Sequence, residues 1–157
     1  MILFLDFDGV THPFGCTIDQ YFNRLNLLET WLRQQPGVNI VISSSWRVAH
    51  PFDEMQSFFS TDIQPRVIGA TPIIKRDNWE QFDGEPPPTR FEREIEVTRW
   101  IAARAEPWHA WAALDDQAWL YKPFNPRVVL CDGRVGLTQR ELARLDGILG
   151  LAPGLKV

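Results

Sequence analysis

The sequence predicts an α/β fold, a mostly parallel β-sheet with helices on both faces. Short apolar runs, too short for helices, recur along the chain and end at polar residues. Between them lie stretches with apolar residues at helical spacing, opened by capping signatures and closed by proline or glycine. Strands that alternate with helices pair in parallel through helical crossovers, and a sheet wound this way is covered on both sides.

The first run, Ile2–Leu5, reads as a buried strand. Thr17 and Gln20 form a capping-box signature, and Ile18, Phe22, Leu25, Leu28 and Leu32 recur at helical spacing until Pro36-Gly37 stops them, which predicts a crossover helix. Asn39–Ile42 is the second strand, residues 51–59 a short helix, and residues 66–68 a short strand ending at Gly69. Residues 75–88, with Asp77, Asn78, Gly84 and a run of prolines, read as an exposed loop, either a plain connector or a flap facing substrate. Thr89 with Glu92 is a second capping box, before Phe91, Ile95, Trp100 and Ile101; it predicts a helix to about Ala105, where Pro107 blocks extension. Residues 110–114 and 128–131 are further strands, and Thr138 with Glu141 opens a last helix carrying Leu142, Leu145 and Leu149. Trp31, Trp100, Trp108 and Trp111 are expected to pack on or between helices and sheet.

Composition narrows the function classes. With 157 residues, 45% apolar and 23% charged, the chain has the balance of one soluble domain spanning residues 1–157, and collagen, disorder and membrane spanning are excluded. No repeat or linker divides it. Asp6 interrupts the first apolar run too early for a signal-peptide core or membrane helix, so a cytoplasmic protein is expected. Cys16 and Cys131, far apart and without histidine partners at zinc spacing, fit reduced thiols there. A sequence pI near 5.3 gives no global attraction to nucleic acid, so any polyanion binding is local. Nothing in the sequence signals an oligomeric state.

The polar residues that end the strands form a constellation: Asp6 and Asp8, then Ser43 and Ser44, then Asp115 and Asp116. Carboxylates gathered at one sheet edge repel one another and are costly to bury, so they require a cation; all-oxygen ligation predicts Mg²⁺. In the Asp6-Phe7-Asp8-Gly9-Val10 segment, strand alternation puts Asp6 and Asp8 on one side, and Gly9 lets the chain turn away. One carboxylate is then placed to attack phosphorus while the other donates and later accepts a proton. The plain alternative is an Asp-Gly turn that merely ends a strand.

These residues, in this order, resemble the haloacid-dehalogenase-like (HAD) phosphohydrolase superfamily, with its Rossmann-like parallel sheet. The resemblance is closer to the HAD domain associated with Swiss Army Knife RNA repair proteins. It runs through Ser43-Ser44-Ser45-Trp46-Arg47, Gly69-Ala70-Thr71-Pro72, Arg93 leading into Trp100-Ile101, Leu114-Asp115-Asp116 and Gly136-Leu137-Thr138. A calcium loop also begins Asp-x-Asp-Gly, but no further ligands follow here at its intervals.

The resemblance implies that Asp6 is the nucleophile that becomes an aspartyl-phosphate and that Asp8 is the general acid and base. Mg²⁺ would be held by Asp6, the main-chain carbonyl of Asp8, and one or both of Asp115 and Asp116. Ser43 would hydrogen-bond a phosphate oxygen with Ser44 assisting, the register being open by one residue; the alternative is that the serines only cap the next segment. Arg93 takes a role usually held by lysine, with Arg90 as competitor and a surface ion pair with Glu94 or Glu96 as the bland alternative for either. His12, Trp46 and Arg47 are candidate substrate contacts near the pocket mouth, and Asp132 either supports the site or is a turn residue.

Neither interval where such enzymes insert a lid has room for a folded one, so an essentially capless core is expected. An uncovered site favours a phosphorylated macromolecule such as an RNA end. The alternatives are a phosphatase of nucleotides or small sugar phosphates, and a catalytically idle binding module.

Overall fold

The computed structural model describes residues 1–74, 90–104 and 110–151. Strand β1 (Ile2–Leu5) is buried along its whole length and occupies the centre of the sheet. It is flanked by β2 (Asn39–Ile42) and β4 (Trp111–Asp115), with β3 (Val67–Ala70) and β5 (Val128–Leu130) outside them. The order is β3-β2-β1-β4-β5 and every neighbouring pair is parallel. Among the described residues no helix is long and apolar enough to cross a membrane.

Alternation along the strands sorts the core into two layers. Leu3, Leu5, Ile40, Ile42 and Leu114 face α1 (Leu25–Gln34), α2 (Phe52–Ser57) and α4 (Gln139–Leu149). Phe4, Val41 and Ala113 face α3 (Glu92–Ala102) through Val97 and Trp100. The same parity, carried one residue past each strand, turns Asp6 and Ser43 toward α3. The chain moves outward one way from β1 to β3, then returns to the other side for β4 and β5. The reversal between β1 and β4 is the topological switch point, where parallel sheets place their ligands.

The α/β prediction holds, with local corrections. The Thr17 main-chain N–H and hydroxyl do donate to Gln20 Oε1, both at 3.3 Å, but they head only a 3-10 turn over Ile18–Gln20. Ile18 is exposed, and α1 starts only at Leu25. Phe22, at φ +60°, breaks the helical path, and its ring settles 5.4 Å from that of Trp46 and 4.7 Å from that of Phe58. Burial of an aromatic ring outweighs helical spacing here.

Strand β3 begins one residue later than expected because Gln64–Arg66 form a 3-10 turn; the Arg66 guanidinium reaches back to α1. It donates to the carbonyls of Leu32, Gln35 and Val38, closing the end of α1. Helix α3 begins at Glu92 behind Phe91, whose φ is +58°, and ends at Ala102 rather than near Ala105. Thr89, Trp108 and the loop at 75–88 lie outside the described residues. The last capping box is as expected: Thr138 N donates to Glu141 Oε2 at 3.0 Å, and α4 closes on Gly150 at φ +65°. Trp31 donates to Asp146 Oδ1 at 2.8 Å, bridging α1 and α4, while Trp100 and Trp111 pack edge-on against Phe4.

Candidate active site

Parallel ladder bonds continue one residue beyond the strands and bring their polar ends level. Asp6 N donates to Leu114 O at 3.0 Å, and Ser43 N to Leu5 O at 2.8 Å. Carboxylate oxygens of Asp6, Asp115 and Asp116 consequently lie within 4.8 Å of one another at the switch point. Asp6 and Asp115 are buried, and Asp116 is half-buried.

Arg93 reaches this cluster from α3. Its Nη1 is 3.0 Å from Asp115 Oδ2 and 3.4 Å from Asp6 Oδ2. Arg90 is exposed and makes no ion pair with the cluster among the described residues. Glu94, weighed as a surface partner, instead accepts from Lys122 N at 2.8 Å and Asn125 Nδ2 at 3.0 Å.

The neighbouring aspartates differ in what holds them. Asp115 is engaged on both oxygens: Oδ1 accepts from Gln117 N at 2.9 Å, and Oδ2 accepts from Arg93 and from the Tyr121 hydroxyl at 3.1 Å. Asp116 Oδ1 is buried without a partner. Asp116 Oδ2 fills a notch made by two glycines: a Cβ added at Gly9 would stand 2.3 Å from it, and one at Gly133 2.5 Å. Burial, followed by the charge of Asp6, pushes the Asp115 carboxyl up to about 7 and raises that of Asp116. Three carboxylates facing one guanidinium leave excess negative charge in a buried pocket of oxygen donors. With the orphaned Asp116 Oδ1, this set fits a hard divalent cation such as Mg²⁺.

The Asp8 carboxylate stands apart from the cluster. Its Oδ1 is 3.0 Å from His12 Nε2, and its Oδ2 accepts from Trp46 Nε1 at 2.8 Å. The His12 hydrogen bond is the largest influence on Asp8 and, with that of Trp46, holds it below the usual carboxylate range against the opposing effect of burial. His12 and Trp46 were expected to meet substrate. The structure instead buries His12 completely against Asp8, while Trp46, partly exposed, hydrogen-bonds the same carboxylate.

Arg47 also departs from its expected place at the pocket mouth. It is buried in an ion pair with Glu96, and it donates to the carbonyls of Ser43 at 2.6 Å, Ser44 at 2.5 Å and Thr71 at 3.2 Å, fastening the ends of β2 and β3 to α3. The two serines differ in what their hydroxyls meet. Ser44 Oγ accepts from Trp46 N at 3.4 Å and caps the turn, whereas Ser43 Oγ is buried and unpartnered, as is Thr71 Oγ1. Asp132 is exposed, accepts from Arg134 and belongs to a turn.

Sequence reasoning missed Gly133, Tyr121 and Thr11 and took Glu96 for a surface group. Asp132-Gly133 reads locally as a turn, and nothing nearby in the chain signals that Gly133 makes room for Asp116. A family model described as "HAD domain in Swiss Army Knife RNA repair proteins" matches residues 2–142. No curated protein and no solved structure matches the chain.

Proposed function

Because the chain belongs to the family of HAD domains in Swiss Army Knife RNA repair proteins, we propose that it is a Mg²⁺-dependent phosphomonoesterase working through an aspartyl-phosphate. The observation that carries this reading is the separation of the paired aspartates. Asp6 lies inside the cluster with Asp115 and Asp116, while Asp8 sits outside it between two side-chain hydrogen-bonding partners. Asp6, grouped with the oxygens that fit a cation, is read as the attacking carboxylate, and Asp8, outside that group, as the one that transfers the proton.

An Asp6 carboxylate oxygen forms the bond to phosphorus as the ester bond breaks, and Asp8 supplies a proton to the leaving oxygen. Asp8 then takes a proton from the water that displaces phosphate from Asp6. Phe7 N, donating to Asp6 Oδ1 at 2.8 Å, orients the nucleophile. Arg93 binds the phosphoryl group and balances the Asp6 and Asp115 charges. Ser43, whose hydroxyl is without a partner, is assigned to a phosphate oxygen. Mg²⁺ would be held by Asp6, Asp116 and the Asp8 main-chain carbonyl with Asp115 alongside, and it would offset repulsion between the anionic phosphate and the attacking carboxylate.

We assign as substrate a phosphate on a macromolecule such as an RNA end. The family description supports this, as does the stretch from Gly9 to Arg24, where the described chain holds only a 3-10 turn and no inserted lid. Free Cys16 and Cys131 agree with a reducing, cytoplasmic setting, and residues 1–157 are taken as one domain. The test is hydrolysis of 4-nitrophenyl phosphate, phosphorylated RNA ends, nucleotides and sugar phosphates side by side. Activity should require Mg²⁺, fall with EDTA and vanish in Asp6→Asn; full activity in that variant rejects the mechanism. Preference for nucleotides or sugar phosphates replaces the RNA assignment, and no turnover at all favours a binding module.

A further inference from the structure

His12 has no solvent exposure and lies in direct contact with Asp8, yet the reaction outlined above assigns it nothing. Its surroundings fix how its ring is oriented. The Thr11 hydroxyl donates to Phe7 O at 3.1 Å, and Thr11 Oγ1 is also 3.1 Å from His12 Nδ1. A hydroxyl has one proton to give. With that proton on Phe7 O, Thr11 Oγ1 is an acceptor that holds the Nδ1 edge of the ring, and Nε2 faces Asp8 Oδ1 at 3.0 Å. On the other side of Asp8, an indole N–H only donates, which makes Oδ2 an acceptor whenever Trp46 is in place.

The two oxygens of Asp8 are therefore unlike. Oδ2 is held by Trp46 and Oδ1 by His12, which fixes the orientation of the carboxyl group. Trp46 is itself wedged among aromatic rings, with Phe7 at 5.8 Å, Phe22 at 5.4 Å and His50 stacked at 5.0 Å. The two hydrogen-bonding partners come from separate parts of the chain, the loop after β1 and the turn after β2, and they close on Asp8 from opposite sides.

We propose that His12, oriented by Thr11, and Trp46 are positioning residues that act through Asp8, holding its carboxyl group in the orientation from which it exchanges a proton with the leaving oxygen and then with water. The inference rests on the phosphomonoesterase reading. In the first step an Asp6 oxygen bonds phosphorus, and the electrons of the breaking P–O bond pass to the leaving oxygen, which takes the proton from the Asp8 carboxyl group. In the second step a water oxygen bonds phosphorus, its proton returns to Asp8, and the Asp6–phosphorus bond opens. His12 and Trp46 form no bond to substrate in either step.

Substrates that differ in their need for that proton supply the test. The leaving group of 4-nitrophenyl phosphate departs as a stable anion, whereas that of ethyl phosphate requires protonation. His12→Phe should lower kcat on ethyl phosphate about 100-fold, within the range for losing effective general acid catalysis, while the loss on 4-nitrophenyl phosphate is far smaller, about 5-fold. Trp46→Phe should show the same asymmetry at about 10-fold on ethyl phosphate. His12→Gln, whose amide reaches the Nε2 position, should recover part of the ethyl phosphate activity. It also keeps the test alive if the phenylalanine variant fails to fold. Equal losses on both substrates, or no loss on either, overturn the inference. If the wild type hydrolyses neither substrate, the phosphomonoesterase reading itself fails and takes this inference with it; wild-type activity with uniform variant losses removes the positioning role alone.

Discussion

Replacing Gly133 with alanine isolates the placement of Asp116 from everything else in the site. The added methyl carbon would stand 2.5 Å from Asp116 Oδ2 and 3.3 Å from its Cγ. A close carbon–oxygen contact is about 3.3 Å, so the carboxylate must retreat by roughly 0.8 Å. A misplacement near 1 Å costs on the order of 100-fold in rate. The expected fall in kcat/KM is therefore about 30- to 100-fold, or roughly 2–2.7 kcal/mol of transition-state stabilisation. The Mg²⁺ concentration needed for half-maximal activity should rise about 10-fold, comparable to the loss of a supporting contact at a metal site.

Stability should change little, because what gives way is the tip of a side chain and Gly133 is not among the positive-φ glycines. Gly147→Ala in α4 is the control. A Cβ there meets nothing within 4 Å, so the variant should leave the kinetics unchanged and gain about 0.5–1 kcal/mol from helix propensity. Initial rates on 4-nitrophenyl phosphate across a Mg²⁺ series, with thermal melts, make the comparison. Wild-type rate and Mg²⁺ dependence in Gly133→Ala would refute the placement of Asp116 by that glycine.

Breaking the Arg47–Glu96 pair with Glu96→Gln should destabilise the protein by about 3 kcal/mol in urea unfolding, because the Arg47 and Glu96 side chains are only 6% and 8% exposed and the lone guanidinium stays buried. A loss below about 1 kcal/mol would show that the carbonyls around Arg47 suffice to hold it. Metal and pH should act together on melting. With Asp115 pushed up to about 7, the folded chain keeps a proton that the unfolded chain has lost between about pH 4 and pH 7, so this group's stability contribution falls as pH rises through that window. In EDTA the melting temperature should accordingly lose this contribution by about pH 8 relative to about pH 5.5, and Mg²⁺, which takes the ionised cluster, should raise it more at the higher pH. An equal Mg²⁺ effect at both would contradict the linkage.

What the sequence revealed about the site follows from strand geometry. Apolar runs that stop at Asp6, Ser43 and Asp115 are local signals, and parallel register aligns their ends without further information. The capping box at Thr138 is equally local and formed as read. The errors occur where a distant contact decides. Phe22 leaves its helical spacing for rings contributed by Trp46 and Phe58. His12 and Trp46 were identified as site residues, but their direction depends on Asp8 lying between them. Glu96 becomes a buried partner because Arg47 arrives from a different part of the chain. Asp115 and Asp116 are distinguished only by Arg93, Tyr121 and the glycine notch, none of which their neighbours in sequence announce.

The central berth of β1 also bears on how the molecule breathes. Hydrogen-bonded to β2 on one side and β4 on the other, it is the strand from which Asp6 and Asp8 extend. Edge strands such as β3 and β5 fray through small local openings, whereas amides in a doubly paired inner strand exchange with solvent only when most of the domain comes apart. The carboxylate proposed to attack thus extends from an inner strand, and fraying at the rim of the sheet leaves its position undisturbed.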